Sequence, residues 1–264
     1  MQFKNILIND DYKKYLLKEV IDNNLSNFYL IYSKYNIGNL SIAISISQYI
    51  HCNNKQLLDS CGNCSSCIKY LNFSHSDIKF SYPFSSNINN KNNIAVYFKK
   101  QWNNFLTSNK YLFPLDWFNV ILSNNYQKPI ISLNECNHII KNLCKTIINS
   151  RYNIYIIWLP EYIEKNDLFI LELSKKICKN DIVFLISENI DLIAPTVLSK
   201  CFLLEIPNIE FEKFKYYIKQ EYNTISDNDI NFVYNISNNN NYNPILFLLN
   251  KKKYDKIFEK WIFF

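Results

Sequence analysis

Ile154-Tyr155-Ile156-Ile157-Trp158-Leu159-Pro160-Glu161 decides the fold class. Five successive apolar side chains leave no face for water, and five residues are too few for a buried helix. Such a run is a strand covered on both faces. Two runs downstream share the pattern, Ile182-Val183-Phe184-Leu185-Ile186 and Phe202-Leu203-Leu204-Glu205-Ile206, and one lies upstream, Phe28-Tyr29-Leu30-Ile31-Tyr32. Helical patterning fills the intervals, at 3–23, 40–50, 94–106, 112–122, 161–178 and 196–198. A further helix opens at Ser132, with Glu135 three residues on as in a capping box, and runs to about Ile148. Residues 73–84 read as partly extended, and the polar tract 87–93 as a mobile loop. Short apolar strands alternating with helices imply an α/β fold, a parallel sheet with helices on both faces. After Pro207 only helical patterns remain. The expected division is an α/β domain over 1–206 with a cysteine module inserted at 52–67, and a small all-helical lid domain over 207–264.

Composition agrees with a globular protein: 264 residues, 48% apolar and 20% charged. Two Gly and seven Pro exclude collagen-like and linker-rich chains. The longest apolar stretch, 40–50, is interrupted by Ser and Gln and falls short of the roughly 18 residues of a membrane helix. The first eleven residues carry charge and no apolar core of a secretory signal, so a cytoplasmic location and no membrane partner are expected. The net charge of +6 permits contact with nucleic acid or an acidic partner. Lys is heavily used and Arg151 is the only Arg, a bias of A/T-rich codons. A solvated surface therefore accounts for most of the basic charge, and the longest basic run is only Lys251-Lys252-Lys253.

Four of the eight Cys cluster as Cys52-x8-Cys61-x2-Cys64-x2-Cys67. Thiolates two residues apart in a tight turn face one ion, and a loop brings in the fourth. Four sulfurs close a tetrahedral zinc site that holds structure and leaves no open position for catalysis. Gly62 permits the turn. His51 and His75 stand as substitute ligands, and an iron–sulfur cluster is the minor alternative. Cys136, Cys144, Cys178 and Cys201 lie in apolar segments and read as small buried hydrophobes without disulfides.

The strand–loop–helix at 28–50 is where a nucleotide-binding loop would sit. The working pattern, G-x-x-x-x-G-K-[ST], supplies backbone amides and a Lys to the phosphates and a hydroxyl to magnesium. Here Ser33 stands for the first Gly, Gly38 fits the second, Asn39 replaces Lys and Leu40 replaces Ser/Thr. After the Ile154 strand a hydrolase needs an acidic pair for magnesium and the attacking water. This chain has Trp158-Leu159-Pro160-Glu161, with Glu161 three residues too far along. Two failed stations together argue that the chain binds no ATP and has no ATPase activity of its own.

In this order the features resemble the delta-prime family of clamp-loader subunits of bacterial DNA polymerase III, within the AAA+ superfamily. Leu25-Ser26-Asn27-Phe28-Tyr29-Leu30 is similar to that family's "LSHAYLF" strand, and 52–67 to its zinc module. His75-Ser76-Asp77 sits at its His-Pro-Asp, and 154–161 at its degenerate Walker B strand. Ser187-Glu188-Asn189 resembles sensor 1, and Pro195-Thr196-Val197-Leu198-Ser199-Lys200-Cys201 resembles "PTxxSRC". The region from Trp102 through Trp117 to Ile148 resembles the Bacteroidetes form. The resemblance covers about residues 3–206 and continues weakly to about Asn250.

The resemblance implies a non-hydrolysing member of a pentamer, with gamma/tau-type ATPase subunits and a delta subunit as partners. That assembly opens the ring-shaped sliding clamp and closes it on primed DNA. It also implies a residue acting in trans, through Ser199 and Lys200, on ATP held by a neighbouring subunit. The family has Arg at Lys200; the charge is kept and the planar fork is lost. A sensor-2 Arg is missing where Tyr242-Asn243-Pro244-Ile245 stands, and the family's C-terminal collar is expected to be absent. The alternatives are a gamma-type ATPase, which would need the missing Lys and hydroxyl, and a stand-alone zinc-bearing nucleic-acid-binding module.

Overall fold

The computed structural model describes residues 1–22, 24–33, 38–85, 94–108, 112–122, 128–164, 166–221 and 225–240. Its strands are β1 (Phe28–Ser33), β2 (Ile78–Ser81), β3 (Phe84–Ser85), β4 (Pro129–Ile130), β5 (Asn153–Trp158), β6 (Asp181–Ile186) and β7 (Phe202–Ile206). Its helices are α1 (Asp10–Ile21), α2 (Asn39–His51), α3 (Ser65–Leu71), α4 (Lys99–Ser108), α5 (Pro114–Ile121), α6 (Leu133–Asn142), α7 (Asn166–Lys176), α8 (Pro195–Leu198), α9 (Phe211–Glu221) and α10 (Asp227–Asn240). Five strands make one parallel sheet in the order β2-β5-β6-β1-β7, and β3–β4 form a small antiparallel pair. The α/β class expected from the apolar runs is the class observed.

Alternation along the buried strands divides the interior into two cores. Ile154, Ile156 and Trp158 of β5 face one core with Ile182, Phe184 and Ile186 of β6, under α1, α2, α4 and α5. Tyr155 and Ile157 face the other with Val183 and Leu185, under α6, α7 and α8. Phe214, Ile218 and Ile230 of α9 and α10 join the first core, and Lys213 pairs with Asp10 of α1 at 2.7 Å. Residues 241–264, the rest of the segment read as a lid, lie outside the described residues, as do the tract 87–93 and the sensor-2 stretch 242–245. In the first core Tyr82 stacks on Trp102 at 3.9 Å, Trp117 stands edge-on to both at 5.1 Å, and the Trp117 indole donates to the Pro83 carbonyl at 2.7 Å.

Several boundaries differ from the sequence expectation. The helix expected over 3–23 starts only at Asp10, because Asn9 Oδ1 accepts the Asp11 N–H and caps it. Ile6, Leu7 and Ile8 before it are buried outside any helix. Ser132 does cap α6, accepting the Glu135 N–H at 3.2 Å, but the Glu135 carboxylate turns to the Ala95 N–H at 2.8 Å instead of closing the box. That helix stops at Asn142, not Ile148, since Leu143 is extended and Cys144 is left-handed at φ 58°. The helix expected over 161–178 opens as a 3-10 turn, Pro160–Tyr162, after Leu159 at φ 59°, and α7 begins at Asn166.

The four scattered cysteines also divide. Cys136 is a buried hydrophobe, as expected, and Cys201 is half-buried. Cys144 and Cys178 are joined in a disulfide, which corrects their reading as free thiols in the core. Both N–H groups donate to one oxygen of Asp181, at 2.9 and 3.3 Å, and this draws the loop after α6 against the loop after α7.

Asp77, just before β2, organises the opposite connection. Its buried carboxylate accepts the N–H groups of Ile148 and Asn149 at 3.1 and 2.8 Å and the hydroxyls of Ser150 and Ser76 at 2.9 and 3.0 Å. Burial pushes the carboxyl up, but these donors together outweigh it and hold the group down at about 2. Asp77→Ala, which removes the shared acceptor of two amides and two hydroxyls, should lower stability by about 2 kcal/mol at neutral pH. Because the folded group is the stronger acid, its contribution is complete above the usual carboxylate range and lost as pH falls toward about 2. Urea denaturation of the variant at pH 7 checks this; an unchanged midpoint would show that water replaces the carboxylate acceptor at no cost.

Candidate functional site: a cysteine centre and a vestigial nucleotide station

The cysteine module is built on the loop between α2 and α3. Cys52 caps the C-terminus of α2, and Cys64 is the N-cap of α3, its sulfur accepting the Cys67 N–H. Cys61 and Cys64 form the knuckle, with Gly62 between them at φ 78°. The positive φ favours glycine, and a Cβ there would sit 2.9 Å from the Gln2 amide, which would have to move aside. The four sulfurs of Cys52, Cys61, Cys64 and Cys67 all lie within 4.8 Å of one another, and Cys61 and Cys67 are 3.9 Å apart. A tetrahedral zinc with bonds of about 2.3 Å holds its sulfurs about 3.8 Å apart, so the set fits one such ion. Backbone N–H groups of Cys61 and Cys64 point at the sulfurs of Cys52 and Cys61, each at 3.3 Å, which favours thiolate. Lys55, bound to the Cys52 carbonyl at 3.0 Å, adds positive charge beside them.

His51 and His75 are not substitute ligands. They stack on each other at 4.6 Å, and both ring nitrogens of His51 are engaged, with Tyr70 Oη at 2.8 Å and the Tyr152 carbonyl at 3.0 Å. Burial, with His75 adding to it, pushes His51 down to about 3, so it is neutral. These rings support the module from beneath.

The nucleotide station lies at the C-terminal ends of β1, β5 and β6. Ser33 ends β1 and is buried, residues 34–37 lie outside the described residues, and Gly38 is the left-handed N-cap of α2 at φ 92°. Asn39, in the Lys position, is fully buried and donates to the Ser187 carbonyl at 3.3 Å; Leu40 is fully buried in the first core. Neither side chain reaches out to a phosphate or a metal.

The structure adds a pair that sequence spacing missed. Glu161 accepts the Glu188 N–H at 3.2 Å, which brings two carboxylates together beyond β5 and β6. One oxygen of each is sealed from solvent without a hydrogen-bond partner. Burial pushes Glu161 up to about 7; burial and the neighbouring Glu161 push Glu188 up to about 8. The available signal was positional: each acid follows the end of one of two adjacent parallel strands, and the 3-10 turn at Pro160 folds Glu161 back.

Ser199 and Lys200 lie at the other end of the sheet, between α8 and β7. Ser199 Oγ donates to the Thr196 carbonyl at 2.9 Å, and both residues are exposed. Lys200 lines an open cavity of about 520 Å³ with Asn27, Lys175 and Lys179, so three ammonium groups border one hollow. The two stations are therefore on opposite edges of the chain, one closed and one open.

No curated protein matches the chain. Among solved structures, a DNA polymerase III gamma subunit-related protein from Thermotoga maritima is similar at 10% identity and a TM-score of 0.46. The alignment covers 78% of this chain and 49% of that one, so this chain spans about half of that protein's length. The family model described as DNA polymerase III, delta subunit, matches residues 8–210. Matched over most of its length, the chain belongs to the DNA polymerase III delta subunit family.

Proposed function

We propose that the chain is a non-hydrolysing, delta-prime-type subunit of the DNA polymerase III clamp loader, helping to load the sliding clamp onto primed DNA. The observation that carries this is the buried Asn39, turned to Ser187 where the phosphate-binding Lys would stand, with Glu161 and Glu188 beside the same sheet ends. Among the described residues there, a triphosphate would meet two acidic side chains and no cation. The open cavity with Lys175, Lys179 and Lys200 has the opposite character and suits the polyphosphate of a neighbouring gamma/tau-type subunit. The four cysteines hold a structural zinc ion, and α9 and α10 belong to a helical lid. The described residues include no helix long and apolar enough to cross a membrane.

The test is reconstitution with the gamma/tau-type and delta subunits and the clamp on primed DNA. Lys200→Ala should lower the clamp-stimulated ATPase rate by about tenfold, and Lys200→Arg should raise it above wild type, because the guanidinium restores a bidentate clamp. The subunit alone should show no ATP binding by calorimetry. Equal rates for Lys200 and Ala would remove the trans-acting role. Micromolar ATP affinity of the isolated chain would replace this reading with the gamma-type one.

A further inference from the structure

Among the described strands β2 is the outermost of the sheet and has a partner, β5, on its inner side only. The bond from the Ile154 N–H to the Asp77 carbonyl, 2.8 Å, sets the register, with Ile78 opposite Ile154 and Phe80 opposite Ile156. In parallel pairing the residues flanking each such pair carry the bonds. Asp77, Lys79 and Ser81 therefore face β5, and the main-chain groups of Ile78 and Phe80 point outward, where no described strand takes them up. A cavity of about 340 Å³ lies against this edge, between α4 on one side and α6 on the other.

Two walls of that cavity hold polar groups without partners. Trp102 Nε1 and His75 Nε2 are buried and make no hydrogen bond. His75 Nδ1 accepts the Asp77 N–H at 3.3 Å, so Nε2 carries the proton and, like the indole, is a donor. The cations at the cavity are the half-buried Lys79, over the Tyr155 ring at 4.9 Å, and the exposed Lys99, and neither forms an ion pair with a described residue. The acid in the lining, Glu135, is buried and already accepts the Ala95 N–H.

We propose that the β2 edge is a docking groove for an extended acidic peptide segment of a partner protein, added to the sheet as a sixth strand. Only a peptide main chain offers alternating acceptors and donors at the spacing of Ile78 and Phe80. Its main chain pairs with the outward groups of Ile78 and Phe80, its acidic side chains serve Lys79 and Lys99, and an apolar side chain between them lies on the half-buried Phe80. The edge exposes few residues, so the affinity is micromolar, in keeping with a transient contact. This surface is separate from both the cysteine centre and the Lys200 cavity.

The test uses the full, metal-loaded chain and a dye-labelled synthetic peptide, acetyl-Glu-Val-Phe-Val-Glu-amide. Controls are the same peptide N-methylated at alternate residues and the counterpart with Lys for Glu. Fluorescence anisotropy should give micromolar binding of the acidic peptide, weakened about tenfold or more by N-methylation, which removes main-chain donors without touching side chains. Hydrogen exchange should slow at 78–82. Lys99→Glu should weaken the acidic peptide and strengthen the basic one. Binding that survives N-methylation, protection away from β2, or no binding at millimolar peptide would each overturn the proposal; the first and third are read on the unaltered protein, so a variant that fails to fold does not leave the question open.

Discussion

Cys67→Ser is expected to abolish metal binding and unfold the segment between α2 and β2. Cys67 is fully buried, and its sulfur lies 3.9 Å from that of Cys61, so no water can take its place without opening the set. Structural zinc sites contribute on the order of 10 kcal/mol of apparent binding energy, and removing one ligand of four forfeits most of it. The damage should spread to the N-terminus. The Met1 ammonium donates to Gln48 at 2.7 Å, Gln2 donates to the Ser60 carbonyl at 2.7 Å, and the N–H groups of Phe3 and Lys4 bind Asp59 at 3.1 and 2.9 Å. Gln2, Phe3 and Lys4 are tied to the module and lose their anchors with it, leaving Met1 held by Gln48 of α2. Elemental analysis of protein purified under reducing conditions should give about one zinc per wild-type chain and none in the variant. Hydrogen exchange should rise at residues 1–8 and 52–72. A wild-type chain without zinc would sink the metal reading outright.

A second large effect concerns pH. Glu161 and Glu188 both hold their protons more tightly in the folded state than in the unfolded one. Folding therefore takes up protons between the ordinary Glu range and about pH 8, and stability falls as pH rises through that window. The pair interacts, so the protons leave in two steps that belong to both residues together. Glu188→Gln keeps the shape, removes the like charge and lets Glu161 ionise without a rival. The variant should be more stable than wild type at pH 8 by on the order of 2 kcal/mol and nearly equal to it at about pH 5, with a flatter profile between. Thermal melts across that range decide it. Parallel profiles for the two proteins would mean that the carboxylates are solvated and not coupled. Asp77, whose carboxyl is shifted the other way, acts only at much lower pH and does not mask the effect.

Strands β1, β5 and β6 were legible because each holds a short, wholly apolar run that no helix of that length would bury; the edge strand β2, with Lys79 and Ser81, was not. The cysteine set was legible from spacing alone, since two residues between thiolates is a geometric statement about a turn. What escaped the sequence were contacts made by single polar groups across long separations. Asp181 gathers Cys144 and Cys178 through their N–H groups, and nothing in the local pattern of either cysteine announces it. Glu135 has the spacing of a capping box and spends its carboxylate on Ala95, 40 residues away. Leu159, left-handed and followed by Pro160, turns the chain so that Glu161 meets Glu188. Helix ends were misread for the same reason: Asn9 and Cys144 set them by one side chain and one dihedral, below the resolution of periodicity.

The Cys144–Cys178 bond also alters how the chain must search for its sheet. Asn153 and Asp181, which open the paired strands β5 and β6, are 28 residues apart along the backbone. Through the sulfur bridge the path between them shortens to about twelve residues, which lowers the entropy of closing that loop by about 0.8 kcal/mol. The pairing of β5 with β6 becomes a near-local event in the oxidised chain and remains a distant one in the reduced chain. Relative contact order, and with it folding speed, thus depends on the redox state of two cysteines that lie outside both the cysteine centre and the nucleotide station.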